Sequence, residues 1–151
     1  MRALALALLV VGGCHWRLAG PPTADAGLQV RVIGDAGRTP EAASFLQAAI
    51  AERVHEATGW AIRGDGARRL DLAIDGDDWA AVGHDARGIA SRWRYRVTVS
   101  ALLVSAEGHR AWQGSGLGYA AERAGERQAL QAAADDIAQQ LARWLATRPA
   151  P

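Results

Sequence analysis

The sequence predicts an α+β domain: a four-stranded, mainly antiparallel sheet in the chain order β-α-β-β-β-α, with two helices packed on one face. Three observations carry this expectation. From Arg92 to Leu103 the chain alternates almost without a break, with Arg92, Arg94, Arg96, Thr98 and Ser100 on one parity. Trp93, Tyr95, Val97, Val99, Ala101 and Leu103 hold the other. Side chains on a strand point to opposite faces in turn, so this is a long strand with one covered and one wet face. Two segments repeat their apolar residues every three or four positions, as helices with one buried stripe do. Gly- and Asp-rich turns punctuate the rest.

The first 27 residues precede the domain. Met1-Arg2 gives a short positive end, an apolar run follows, and Gly12-Gly13 stand before Cys14, the one cysteine of the 151 residues. A charged start, a short apolar stretch and small residues make an export signal. The run falls short of the ~20 residues that span a bilayer. VGGC looks like a lipobox, so residues 1–13 are expected to be a lipoprotein signal peptide and Cys14 the acylated first residue of the mature protein. The competing reading is an ordinary secretory signal with an incidental cysteine, although a lone cysteine has no disulfide partner. Residues 14–27, with Pro21-Pro22 and Gly27, form the lipidated N-terminus and a tether of roughly ten residues, which reaches about 35 Å at most.

Residues 28–148 form the single domain. Leu28-Gln29-Val30-Arg31-Val32-Ile33 alternates as a first strand. Thr39-Pro40-Glu41 then reads as a helix start, with Thr39 as N-cap and Pro40 as first helical residue. The helix runs over residues 40–57 with Ala42, Phe45, Leu46, Ala49, Ile50 and Val54 as its stripe, and Gly59 suits the left-handed position that ends it. Leu70, Leu72 and Ile74 alternate with Asp71, Ala73 and Asp75 as a second strand that continues toward Val82, Gly76 marking a bulge. A turn over residues 83–88 leads into the long third strand. The fourth, residues 110–119, places Gly114, Gly116 and Gly118 on one parity, a sign of an edge or of another backbone close by. Residues 122–146 form the second helix, with Leu130, Ala133, Ala134, Ile137, Leu141, Trp144 and Leu145 inward and Pro149 as its stop.

Charge narrows the function. All 17 basic residues are arginine; without Arg2 the mature chain has 16 against 16 acidic residues. A neutral body is unlike a nucleic-acid binder, which carries a basic surplus. No cofactor is expected: the glycines miss the phosphate-loop and dinucleotide patterns. Gly114-Ser115-Gly116 follows Gln113 and is no nucleophile elbow. The four histidines lack ligand spacing, and His84-Asp85 beside Asp75, Asp77 and Asp78 is a weak metal candidate. No catalytic centre emerges, and the chain is expected not to be an enzyme.

The distinctive polar feature is the row Arg92, Arg94, Arg96. Guanidinium groups about 7 Å apart on one strand face repel one another unless anions lie against them. Two readings stay open. Asp71, Asp75 and Asp77 of the neighbouring strand pair with them as cross-strand ion pairs. Alternatively, the row receives phosphate or carboxylate groups, which suit the bidentate arginine fork.

The order of these parts resembles the LPS-assembly lipoprotein LptE family. The resemblance runs from Cys14 to about Pro149 and rests on CHWRLAG after the lipobox, ARRLDLAIDG, SRWRYRVTVSALLV and the Ala-rich closing helix; His15 stands where the family more often has Gly. It implies an outer-membrane, periplasm-facing lipoprotein of a Gram-negative cell. Such a protein plugs the lumen of an LptD β-barrel, helps it assemble and binds lipopolysaccharide. Arg92, Arg94 and Arg96 are the nearest match to that family's basic lipid-contacting positions. Two other classes remain: a lipoprotein regulating a periplasmic cell-wall synthase, disfavoured by the short tether, and an anchored hydrolase, disfavoured by the missing catalytic groups.

Overall fold

A computed structural model of the chain describes residues 27–121 and 125–147. Cys14, most of the tether, the first residues expected in the closing helix and Pro149 lie outside them. The elements are β1 (Leu28–Asp35), α1 (Ala42–Thr58), β2 (Arg68–His84), β3 (Ala90–Ser105), β4 (Gly108–Ala120) and α2 (Glu126–Ala146). The strands form one sheet in the order β1-β2-β3-β4; β1 and β2 are parallel and the other pairs antiparallel. This is the α+β architecture expected from the alternation and the two amphipathic helices.

Both helices lie on one face. From β3, Tyr95, Val97, Val99, Ala101 and Leu103 are buried there, together with Leu70, Leu72 and Ile74 of β2. They meet Leu46, Ile50 and Val54 of α1 and Ala133, Ile137 and Leu141 of α2 in one core. Phe45 and Trp144, expected within the stripes, are only half-buried at the core's rim. The glycines of β4 have the second of their expected reasons. A methyl at Gly116 or Gly118 would overlap the carbonyl oxygens of Ala133 or Ala129, so only glycine lets α2 lie this close. At the outer edge of β4, Asp136 accepts from the Leu117 N–H (3.3 Å) and Gln140 donates to the Ser115 carbonyl (3.0 Å), covering an otherwise open strand edge.

The ends of α1 depart from and then match the sequence reading. Helix α1 begins at Ala42, two residues later than expected, and no side chain caps it. The reason is Asp77. The Thr39 N–H donates to Asp77 Oδ2 (3.1 Å), Arg38 N–H donates to Oδ1, and the Thr39 carbonyl accepts from Ala42. These bonds hold residues 38–41 as a turn ahead of the helix. At the other end Gly59 takes φ 71° and its N–H closes on the His55 carbonyl (2.9 Å).

The β-bulge expected at Gly76 has a larger consequence than a local bend. Ile74 faces Val99 and Gly76 faces Thr98, so Asp75 is the extra residue. An extra residue reverses the side-chain parity of everything after it. Beyond the bulge Asp77 and Trp79 join the covered face, opposite Val97 and Tyr95, while Asp78 turns to the open face opposite Arg96. Tyr95 Oη donates to Asp77 Oδ2 (3.0 Å), and its ring lies 4.8 Å from that of Trp79. Burial pushes the Asp77 carboxyl up, but the bonds from Arg38, Thr39 and Tyr95 outweigh it and hold the group below its ordinary 3.8. Burial, then the Asp77 hydrogen bond and charge, push the Tyr95 phenol well above its ordinary range.

Candidate functional site

The uncovered face of the sheet brings Arg92, Arg94 and Arg96 into one row, as their shared parity requires. The expected cross-strand pairing with Asp71, Asp75 and Asp77 does not form. Asp71 is buried and held by Arg69 (2.9 Å), with Arg31 at 3.9 Å. Asp75 accepts from Ser100 Oγ (2.6 Å) and Gln113 Nε2 (3.1 Å). Asp77 is on the other side of the sheet, moved there by the bulge. The carboxylate that does reach the row is Asp78, whose Oδ2 lies 4.0 Å from Arg94 Nη2. That is a loose contact between partly exposed groups, weaker than a bidentate pair.

The three guanidinium groups therefore differ. Arg92 lies over the Tyr119 ring at 5.2 Å, a cation–π contact that leaves its N–H groups available. Arg94 keeps its Nε–H buried with no acceptor among the described residues. A buried donor without a partner is uncommon and costly. Arg96 is exposed, between Asp78 and Leu117 on the neighbouring strands, and makes no ion pair with the described residues.

Around this row the face is less polar than β3 alone suggests. Leu117 (39% exposed) and Tyr119 (48%) stand on β4 beside Arg96 and Arg94, and Leu102 (38%) follows lower on β3. Ile33 (59%) and Leu102 border a shallow depression that also takes in Asp71, Ala73, Ser100 and Gln113. The sequence reading passed over Leu117 and Tyr119. Their signal was available: if the even-numbered glycines of β4 lie against a helix, the odd-numbered residues must share the face of the arginines.

Other candidates are occupied with structure. Asp85 Oδ1 accepts the Arg87 and Ile89 N–H groups (2.8 and 2.9 Å) and so shapes the β2–β3 turn. Among the described residues no three His, Cys, Asp or Glu side chains cluster as a metal site. Ser115 Oγ shares a hydrogen bond with Thr98 Oγ1 (3.1 Å).

No protein-family model matches the chain, and no curated protein matches its sequence. Solved structures do resemble it. A Xanthomonas campestris protein is 13% identical, with 80% of this chain and 83% of that one covered at a TM-score of 0.52. A minor lipoprotein from Acinetobacter baumannii is 14% identical, covering 85% of this chain and all of its own, at 0.51. An uncharacterised lipoprotein B from Nitrosomonas europaea is 11% identical, with 81% and 83% covered, also at 0.51. At these identities the likeness concerns the backbone. The chain has a fold that bacterial lipoproteins also use.

Proposed function

We propose that this protein is an outer-membrane lipoprotein of the LptE kind: acylated at Cys14, facing the periplasm, and acting without catalysis as a binding and assembly module. Its open sheet face engages an LptD-like β-barrel and the lipopolysaccharide delivered there. The observation that carries this reading is the composition of that face. Two arginines without a carboxylate partner among the described residues and one loosely paired stand in a row beside Leu117, Tyr119 and Leu102. A phosphorylated lipid presents the complement, anionic groups for charge-assisted hydrogen bonds next to apolar surface. The VGGC leader and a fold shared with solved lipoproteins support the same assignment.

The reading is tested by purifying the tagged full-length protein from detergent-solubilised membranes. It predicts a diacylglyceryl-modified N-terminal Cys14 by mass spectrometry and a β-barrel as the dominant co-purifying protein. An unmodified N-terminus removes the anchor. Recovery of a cell-wall synthase in place of a barrel would carry the alternative of a synthase-regulating lipoprotein.

A further inference from the structure

One end of the sheet is the end at which the domain begins, next to the tether. At that end lie the start of β1 at Leu28, the last turns of α1 and α2, the start of β2 and the turn between β3 and β4. Leu28 is pinned there by bonds to Ala61 (2.9 Å) and Arg63 (3.0 Å). A groove of about 870 Å³ crosses this end, lined among others by Thr58, Trp60, Arg68, His109, Arg110 and Thr147. Two arginine–tryptophan stacks flank it: Arg68 lies 4.7 Å over Trp60, and Arg110 lies 4.6 Å over Trp144. Trp60 is steadied through its carbonyl, which accepts from His55 Nδ1 (2.9 Å).

Part of this chemistry serves the fold. Arg110 Nη2 donates to the Trp144 carbonyl (3.1 Å) and so satisfies the end of α2. Arg63 and Arg68 have no such duty: neither side chain makes a hydrogen bond or ion pair with the described residues. With Arg110 and Arg143 they set four arginines against Asp65 and Glu107 at this end, where Glu56 in the last turn of α1 is paired by Arg53 (3.0 Å) and Asp71 is held by Arg69 (2.9 Å). Tryptophan with arginine is the composition of a surface that rests in a lipid headgroup layer. The indole prefers the interface, and the guanidinium meets anionic phosphates.

We propose that this end is a membrane seat, in which Trp60, Trp144, Arg63 and Arg68 rest on the anionic phospholipid headgroups of the bilayer that holds the tether. The tether alone leaves the domain free within about 35 Å of the membrane and does not orient it. The seat does orient it, with the strands upright. The choice of the bilayer that holds the tether rests on the lipoprotein reading; the affinity of this end for anionic headgroups does not.

The test uses the unacylated mature chain, residues 14–151 with Cys14→Ser, which retains every described residue. It is co-sedimented with vesicles of phosphatidylglycerol and phosphatidylethanolamine, and with vesicles of phosphatidylcholine alone. The expected result is binding to the anionic vesicles that falls at high salt and weakens about tenfold or more in Arg63→Gln/Arg68→Gln. The melting temperature of this variant should be unchanged, and Arg94→Ala/Arg96→Ala should bind vesicles like the parent. Equal binding to both vesicle types overturns the seat, as does a loss that follows Arg94 and Arg96. Because the chain tested carries no acyl group, such a failure leaves the Cys14 assignment standing.

Discussion

The two faces of β3 are built from adjacent residues and obey opposite rules. Tyr95, Val97, Val99, Ala101 and Leu103 are buried, and what matters there is fit: side chains interlock with the helices, and β4 carries glycine where α2 would otherwise collide. Arg92, Arg94 and Arg96 lie between them in sequence and are defined by what they lack. Arg94 has one loose carboxylate contact and an orphaned Nε–H, and Arg92 and Arg96 make no ion pair with the described residues. The covered face explains why the chain folds. The open face keeps unmet hydrogen-bonding capacity beside exposed leucine and tyrosine, which folding does not require and a ligand or partner can use.

The contrast breaks most visibly at Val97 and Gly118. Val97→Asp puts a carboxylate without a partner into the core and should cost about 3–5 kcal/mol in denaturant unfolding. Thr98→Asp, one residue away on the open face, should stay within about 0.5 kcal/mol. Equal losses would mean that both faces are covered. Gly118→Ala should cost up to about 3 kcal/mol although it adds one methyl, because the Ala129 carbonyl occupies that space and the helix must shift.

A smaller effect sharpens the comparison at Asp77, which the bulge moved from the open to the covered side. Asp77→Asn should cost about 1–2 kcal/mol near neutral pH by weakening the bonds from Arg38, Thr39 and Tyr95. The sign of its pH dependence follows from the shift. The folded carboxyl sits below 3.8, so its contribution is present above that value and is lost as pH falls through the folded value. Melting curves of parent and variant should therefore converge on acidification below about pH 4. A gap that stays constant down to about pH 2 would show that the charge of Asp77 is not what holds the turn.

Much of this was legible in the chain. The alternation of β3 named its two faces, the glycines of β4 announced an edge or a close backbone, and Gly59 ended α1 where it stands. The failures share one cause. Hydrophobic periodicity reports parity only while the strand stays regular, and the bulge at Asp75 resets it. Reading straight through that bulge kept Asp77 with the arginines and left Asp78 out of the pairing. It also hid why α1 starts late, since the Asp77 side chain takes the Thr39 N–H from 38 residues away. Of the candidate site, the arginine row was readable because it lies on one regular strand. Its apolar companions Leu117 and Tyr119 come from β4, and only the sheet's register brings them beside it.

The central claim is that the open face is kept for a ligand or partner and is not part of the fold's own stability. Arg94→Ala with Arg96→Ala tests this most directly, with melting temperature, lipopolysaccharide binding and barrel co-purification measured on the same protein. Charge-assisted hydrogen bonds of about 1.5–3 kcal/mol each, reduced by exposure and salt, predict at least a tenfold loss of lipopolysaccharide binding. The melting temperature should hardly move, since Asp78 alone loses a contact and it is already half-exposed. Lipid binding unchanged with barrel recovery lost would assign the row to the protein partner. A lowered melting temperature with lipid binding and barrel recovery both intact would contradict the account, making the row part of the fold after all.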